Sequence, residues 1–195
     1  MLTDNRRIIL ASGSPRRREL LEIINPNFEI CVSNAKEEVA DGAPSQVVMN
    51  LSMQKAVEVY KRKIEQEKNI LVIGADTVVV LDDCILGKPK TKQEAFEMLS
   101  SLQGRNHQVY TGVTLIYDSG DGEERRTFFE KTEVCVASMN ENEINAYIAT
   151  GEPMDKAGAY GIQTEFGKYI SYIYGDYNNV VGLPVARLYS ELSDI

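Results

Sequence analysis

The sequence predicts an α/β fold on a mixed β-sheet, and three stretches carry that prediction. Residues 8–24 read as a strand, a tight turn and a helix. Residues 70–81 are the most apolar run of the chain, suited to a central strand pair or one long bent strand. Residues 104–137 hold two strands in succession around a hairpin, which breaks a purely alternating parallel pattern.

Ile8-Ile9-Leu10 is a short buried strand. Ser12-Gly13-Ser14 turns the chain, Ser14 suits a helix N-cap, and Pro15 suits the first helical position. Leu20, Leu21 and Ile24 supply the apolar face of that helix. Arg16, Arg17 and Arg18 crowd its first turn, where the helix dipole already disfavours cations. Free N–H groups, two hydroxyls and adjacent guanidiniums together suit a phosphate. The plainer alternative is a solvated basic turn.

Phe28 to Val32 reads as a second strand, and Ser33 to Asp41 as an acidic loop holding Glu37 and Glu38. A long helix follows from Pro44 to about Lys68. Val48, Leu51, Lys55 and Val59 fall on one face of it. Lys55 either snorkels outward along that face or points into a pocket to meet an anion.

Asp76 interrupts the apolar run at 70–81. A carboxylate there is costly unless it caps a strand end, is paired or meets a metal. That makes Asp76 the strongest candidate for a functional acid. Gly74 permits a kink or a close backbone approach. Cys84-Ile85-Leu86 returns as a short strand after a turn at Asp82-Asp83, and Gly87-Lys88-Pro89-Lys90 is a loop. Thr91-x-x-Glu94 fits a capping box for a helix to Leu102.

The strands from Gly104 to Tyr117 and from Thr127 to Ala137 flank a hairpin turn at 118–122. Met139-Asn140-x-x-Glu143-Ile144 combines a capping box with a hydrophobic staple, and Gly151 ends that helix. EPMDKAGAYGIQ (152–163) is a glycine-rich loop of the kind that carries function. Phe166 to Tyr174 reads as strand, Gly175 to Asn179 as a turn, and Pro184 opens a C-terminal helix.

Composition narrows the function. The 195 residues carry a net charge of −8, against a sequence-independent nucleic-acid partner, which favours a basic surface. No apolar run approaches a membrane span, and MLTDNRR lacks a signal-peptide core, so the expected location is cytoplasmic. Cys31, Cys84 and Cys135 are widely spaced and read as buried reduced thiols. His107 is the only histidine; it reads as a hydrogen-bonded loop or core residue, and a His-rich metal site is excluded. GxxxxGK[ST], GxGxxG and GxSxG are absent.

What remains is a cationic set, Arg16, Arg17, Lys55, Lys88 and Lys156, and an acidic set, Glu38, Asp76 and Asp155. Together they suit a polyphosphate with a divalent cation between its oxygens and one or two carboxylates. One acid then serves as base toward water. Ser14 and Asp155 also have structural readings, as N-cap and as partner of Lys156.

Six motifs in order resemble the Maf family of nucleotide pyrophosphatases: ASGSPRR at 11–17, GADT at 74–77, GKP at 87–89, LxGxxHxVxTG at 102–112, DKAGAYGIQ at 155–163 and VVGLP at 180–184. The resemblance spans essentially the whole chain as a single domain, 1–195. It implies a Maf/HAM1-like fold: a twisted mixed sheet between helices, with a central cleft separating two lobes. It implies hydrolysis of dTTP, UTP and modified pyrimidine nucleotides between the α and β phosphates, assisted by magnesium or manganese. The role implied is removal of non-standard nucleotides. Asp76 matches the family's proposed base. Glu38 matches an acid of the metal or water site, with Glu37 as competitor, so Glu38 and Asp76 are the implied metal ligands. Ser12, Arg16, Arg17, Lys55 and Lys88 match phosphate-handling positions, Lys88 counting among the catalytic residues. Arg16, Thr77 and Gln163 match positions tied to substrate choice, and Lys156 joins the substrate-binding set. A homodimer is the oligomeric state the likeness suggests. The rival functions are a non-catalytic nucleotide-binding protein in cell-division control and a phosphatase acting on the terminal phosphate.

Overall fold

A computed structural model describes residues 6–39, 42–65, 67–118 and 122–195. The expected hairpin turn at 119–121, the end of the acidic loop at 40–41 and residues 1–5 of the N-terminus lie outside the described residues. The elements run β1 (Arg7–Leu10), α1 (Pro15–Ile24), β2 (Phe28–Ile30), α2 (Pro44–Ile64), β3 (Ile70–Leu81), β4 (Cys84–Leu86), α3 (Lys92–Leu102), β5 (Asn106–Asp118), β6 (Glu123–Val136), α4 (Glu141–Ala149), β7 (Ile170–Tyr174), α5 (Tyr177–Val181) and α6 (Val185–Ser193). Among the described residues seven strands form one sheet in the order β2-β1-β3-β5-β6-β7, with β4 beside β3. β1 pairs in parallel with both β2 and β3, whereas β3/β4 and β6/β7 are antiparallel. The expected mixed α/β sheet is therefore present.

The chain divides into two compact units. Unit 1 is Met1–Asp76, Thr111–Glu130 and Gly182–Ile195; unit 2 is Thr77–Tyr110 and Lys131–Val181.

In unit 1, Ile9, Ala11, Ala56, Val59, Tyr60, Ile70, Val72 and Ile116 form a buried cluster. The apolar run at 70–81 is one twelve-residue strand, buried at Ile70–Ala75 and Val78–Leu81 and half-buried at Asp76 and Thr77. A glycine in its middle is required by close approach. A Cβ on Gly74 would stand 2.4 Å from the Ser52 carbonyl oxygen and 2.8 Å from the Ala56 Cβ. Gly112 has the same role one strand away, where a Cβ would meet the Val48 carbonyl at 2.4 Å. Both glycines let α2 lie directly on the sheet. Since side chains alternate along a strand, Asp76 shares the face of Gly74 and is turned toward α2.

In unit 2 the core is aromatic. Phe166 is fully buried, with ring centroids 5.1 Å from Tyr147, 4.7 Å from Tyr160 and 5.7 Å from Tyr169. His107 is buried beside them and its Nε2 lies 2.7 Å from the Tyr160 hydroxyl. This is the hydrogen-bonded core histidine expected from sequence. Asn179 Nδ2 donates to the Val109 carbonyl and to Thr132 Oγ1 at 3.1 and 3.0 Å.

Several local expectations are corrected. Phe166 to Tyr174 is not one strand: Glu165–Tyr169 is a 3₁₀ turn, and only Ile170–Tyr174 is β7. The turn sets Phe166 and Tyr169, three residues apart, on one side, so both rings join the core. Residues 177–181 form α5, not a turn, entered through Asp176 Oδ1, which accepts from the Asn178 N–H at 2.8 Å. The long helix stops at Ile64, and β6 starts at Glu123, four residues early. The cysteines are free but not buried: Cys84 is exposed at the start of β4, and Cys31 and Cys135 are half-buried. The capping box at Asn140 and Glu143 is complete, while Thr91 caps α3 through Glu94 N–H without the reciprocal bond.

Burial pushes the His107 imidazole down to about 4 from its ordinary 6.5. Above pH 6.5 both folded and unfolded chains hold it neutral, and the contribution to stability is full. As pH falls from 6.5 toward 4, only the unfolded chain takes the proton, so stability drops, by as much as about 3 kcal/mol at the lower end. Urea unfolding at pH 7 and pH 4.5 should show this loss, and His107→Gln should reduce the slope. An unchanged slope in that variant would clear His107 of the effect.

Candidate active site

Unit 1 assembles its site on three local structures. The first is the start of α1. Ser14 caps the helix, its Oγ accepting from the Arg17 N–H at 3.5 Å, and its own N–H donates to Ser12 Oγ at 3.2 Å. Pro15 is the first helical residue, as its fixed φ favours. This brings buried Ser12 and half-buried Arg16 and Arg17 to one end of the helix.

The second structure is the contact of α2 with β3. Val48, Leu51 and Val59 are buried as the helical stripe predicted. Lys55, on the same stripe, does not snorkel into solvent. Its Nζ lies 2.5 Å from Asp76 Oδ1 and 3.0 Å from Glu37 Oε1. Lys55 and Asp76 are only 15% and 13% exposed, so the pair is largely shielded from water.

The third is the acidic loop. Glu38 N–H donates to Gln54 Oε1, and Gln54 Nε2 donates back to the Glu38 carbonyl, both at 2.9 Å. These bonds fix the backbone so that Glu37 turns its carboxylate to Lys55. Glu38 instead lines a surface hollow with Val39, Asn50, Met53, Gln54 and Val57. Two adjacent glutamates differ in sequence only by position. The amide clamp by Gln54, sixteen residues away, separates them, and no local pattern reveals it.

Arg17 is held by protein oxygens: Nε donates to the Gly182 carbonyl at 2.9 Å, and Nη1 to the Ala75 carbonyl at 2.8 Å and Ser12 Oγ at 3.3 Å. Burial pulls its pKa down; the charges of Asp76 and Glu37 push it up, and Arg16 pulls it further down. An arginine guanidinium stays protonated inside proteins, so the group is a cation.

In unit 2, Thr77 follows Asp76 along β3 and is half-buried. Lys88 is exposed on the loop after β4. The Gly158 N–H donates to the Gly87 carbonyl at 3.0 Å, so this loop is joined to the glycine-rich segment. That segment is packed, not slack. Gly158 has φ +66°, and a Cβ there would meet the Val79 side chain at 2.8 Å. Lys156 is buried and its Nζ donates to the Glu152 carbonyl and Asp155 Oδ1 at 2.8 and 2.7 Å, the structural partnership expected for Asp155. Its stem passes beneath Gly161, where a Cβ would stand 2.8 Å from Lys156 Cε. Gln163 follows on this braced loop and is exposed.

Chemically, unit 1 offers cations beside two carboxylates that converge on one ammonium. That arrangement suits phosphate oxygens and a hard divalent cation, which commonly takes one or two carboxylates with the remaining ligands from phosphate and water. Among the described residues no three His, Cys, Asp or Glu side chains form a metal cluster of their own. No described helix is long and apolar enough to cross a membrane.

A mixed α/β fold with arginines at a helix start and a Lys-bridged acid pair suits the handling of phosphate groups, and the family is resolved by comparison. The model of the Maf-like protein family matches residues 7–195, and the chain belongs to that family. Curated relatives include the dTTP/UTP pyrophosphatase of Agathobacter rectalis, 51% identical over 195 residues and covering 95% of each chain. That of Lachnoclostridium phytofermentans is 50% identical over 95% of this chain and 93% of its own. Among solved structures, the Mycobacterium abscessus nucleoside-triphosphatase / dITP/XTP pyrophosphatase has a TM-score of 0.45 at 16% identity, covering 68% of this chain and 75% of that one, too loose a likeness to bear on function.

Removing the Lys55 ammonium leaves the largely buried Asp76 carboxylate without its partner, beside the half-exposed carboxylate of Glu37. Lys55→Met should lower the unfolding free energy by about 1–3 kcal/mol, and Asp76→Asn in that background should restore part of the loss. Urea unfolding of the four proteins in this cycle measures the coupling; additive values would show that the pair contributes none.

Proposed function

We propose that this protein is a nucleoside triphosphate pyrophosphatase acting on dTTP, UTP and related modified pyrimidine nucleotides, and that it clears non-standard nucleotides in the cytoplasm. The observation that carries the reading is the Asp76–Lys55–Glu37 group beside the arginine-bearing start of α1. The names of the relatives, half identical to this chain, support the substrate. In this reading residues 1–195 serve as one Maf-like domain, without nucleic-acid partners.

The reaction adds water across the α–β phosphoanhydride. The water oxygen bonds to phosphorus, the bridging P–O bond breaks, and monophosphate and pyrophosphate leave. Asp76 takes the proton from water as general base. Lys55, within hydrogen-bond distance of Asp76, keeps that carboxylate oriented and offsets its charge as negative phosphate arrives. Arg16, Ser12 and Lys88 hold phosphate oxygens. Thr77 and Gln163 read the base; the Gln163 amide offers both a donor and an acceptor to a pyrimidine edge. Lys156, bound to Asp155 and the Glu152 carbonyl, serves substrate binding by keeping the Gln163 loop in place.

A magnesium or manganese ion belongs to this reading, and the donor set fits it: hard carboxylate oxygens at Asp76 and the Glu37-Glu38 pair, with Glu37 favoured over Glu38 because its carboxylate is the one beside Lys55. When bound, the ion supplies charge neutralisation of the phosphates and acidification of water.

A nucleotide panel assayed with magnesium, scoring pyrophosphate and orthophosphate separately, tests the function. Pyrophosphate from dTTP and UTP, with little from purines, is expected. Orthophosphate instead would indicate a terminal phosphatase; nucleotide binding with no release would indicate a non-catalytic binder. Asp76→Asn should abolish turnover while nucleotide still binds, and near-normal activity would remove Asp76 from the mechanism.

The two glutamates separate in the same assay. Glu37→Gln should lower kcat at least tenfold and raise the magnesium requirement, with Glu38→Gln within threefold of the native enzyme. The reverse order would assign the acid to Glu38.

A further inference from the structure

Arg17 touches three separate segments of unit 1. Its Nε donates to Gly182, in the junction between α5 and α6, and its Nη1 donates to Ala75, the residue before Asp76, and to Ser12, in the loop after β1. Ser12 Oγ also accepts from the Ser14 N–H, so the same fork braces the turn that starts α1. Gly182 has φ +129°, a conformation that favours glycine and presents its carbonyl at that spot. An arginine serves three oxygens in this way because its N–H groups are planar and diverge at fixed angles. A lysine ammonium is a compact point charge on a flexible stem and does not reproduce that fork.

The consequence falls on Asp76. The Ala75 carbonyl belongs to the peptide that joins Ala75 to Asp76, and holding that oxygen fixes the plane from which the Asp76 side chain leaves. We propose that Arg17 is a positioning residue, which acts on the reaction through Ala75, Ser12 and Gly182, and that direct phosphate contact at the start of α1 belongs to Arg16. The inference rests on the reading of Asp76 as the base. It separates two adjacent arginines to which the motif resemblance gives a shared phosphate-handling role. The charge of Arg17 is then secondary to its shape.

The test compares Arg17→Lys and Arg17→Gln with the native chain in three measurements: kcat and KM for dTTP, inhibition by inorganic pyrophosphate, and amide hydrogen exchange of peptides covering residues 70–80 and 180–186. For both variants kcat should fall tenfold or more, with KM and the pyrophosphate inhibition constant within threefold. Exchange should rise in those two peptides and stay unchanged in the aromatic core of unit 2. Retained kcat in Arg17→Lys with tenfold weaker KM and pyrophosphate inhibition would overturn the proposal in favour of direct phosphate binding. Exchange rising throughout the chain would reduce Arg17 to a general prop of the fold and also overturn it. If the native protein releases no pyrophosphate from any nucleotide, the proposed activity fails by itself. The exchange measurement then still decides the clamp, since it needs no substrate.

Discussion

Lys55 sits between two carboxylates on the buried stripe of a helix, and the surrounding architecture follows from bringing it there. A carboxylate inside an apolar strand is costly without a partner, and an ammonium on an apolar helical face is equally so. Neither is tolerable until α2 lies close enough to β3 for the two to meet. Gly74 and Gly112 make that approach possible, because any Cβ would strike the helix backbone at 2.4 Å. The pair gains little net stability, since desolvating two charges offsets most of their attraction. Its effect is to hold a carboxylate in a fixed direction among cations.

The glycine-rich loop of unit 2 follows a related logic. Gly158 and Gly161 would suggest slack chain, yet each glycine is pressed against a neighbour, Val79 in one case and the stem of Lys156 in the other. The Lys156 ammonium is bonded on two sides. Beneath the segment, Tyr160 and Phe166 pack into an aromatic core with His107 and Tyr147. Glycine here purchases proximity, and the loop is a firm platform for the exposed Gln163.

Much of this was legible along the chain because it is local. Strand-turn-helix at 8–24, the Ser14 and Asn140 caps, the short strand at 84–86 and the stripe through Lys55 depend on neighbours within a turn or two. Asp76 announced itself as the one acid in an apolar run. The misreadings lie where distant contacts override local preference. Phe166 and Tyr169 have strand-forming side chains, but the aromatic core draws both to one side and imposes a 3₁₀ turn. The cysteines are apolar by type, yet Cys84, which follows Asp82-Asp83, opens a short strand with an exposed flank.

The sequence alone determined the mixed α/β class, the candidate acids and cations, and, through six ordered motifs, the family. Tertiary structure decided what those charges do. It set Lys55 inward on Asp76, chose Glu37 over Glu38 through the side chain of Gln54, and bound Arg17 to the carbonyls of Ala75 and Gly182. A charge has no direction in a sequence. It acquires one only when residues far apart in the chain close around it and leave it a single set of partners.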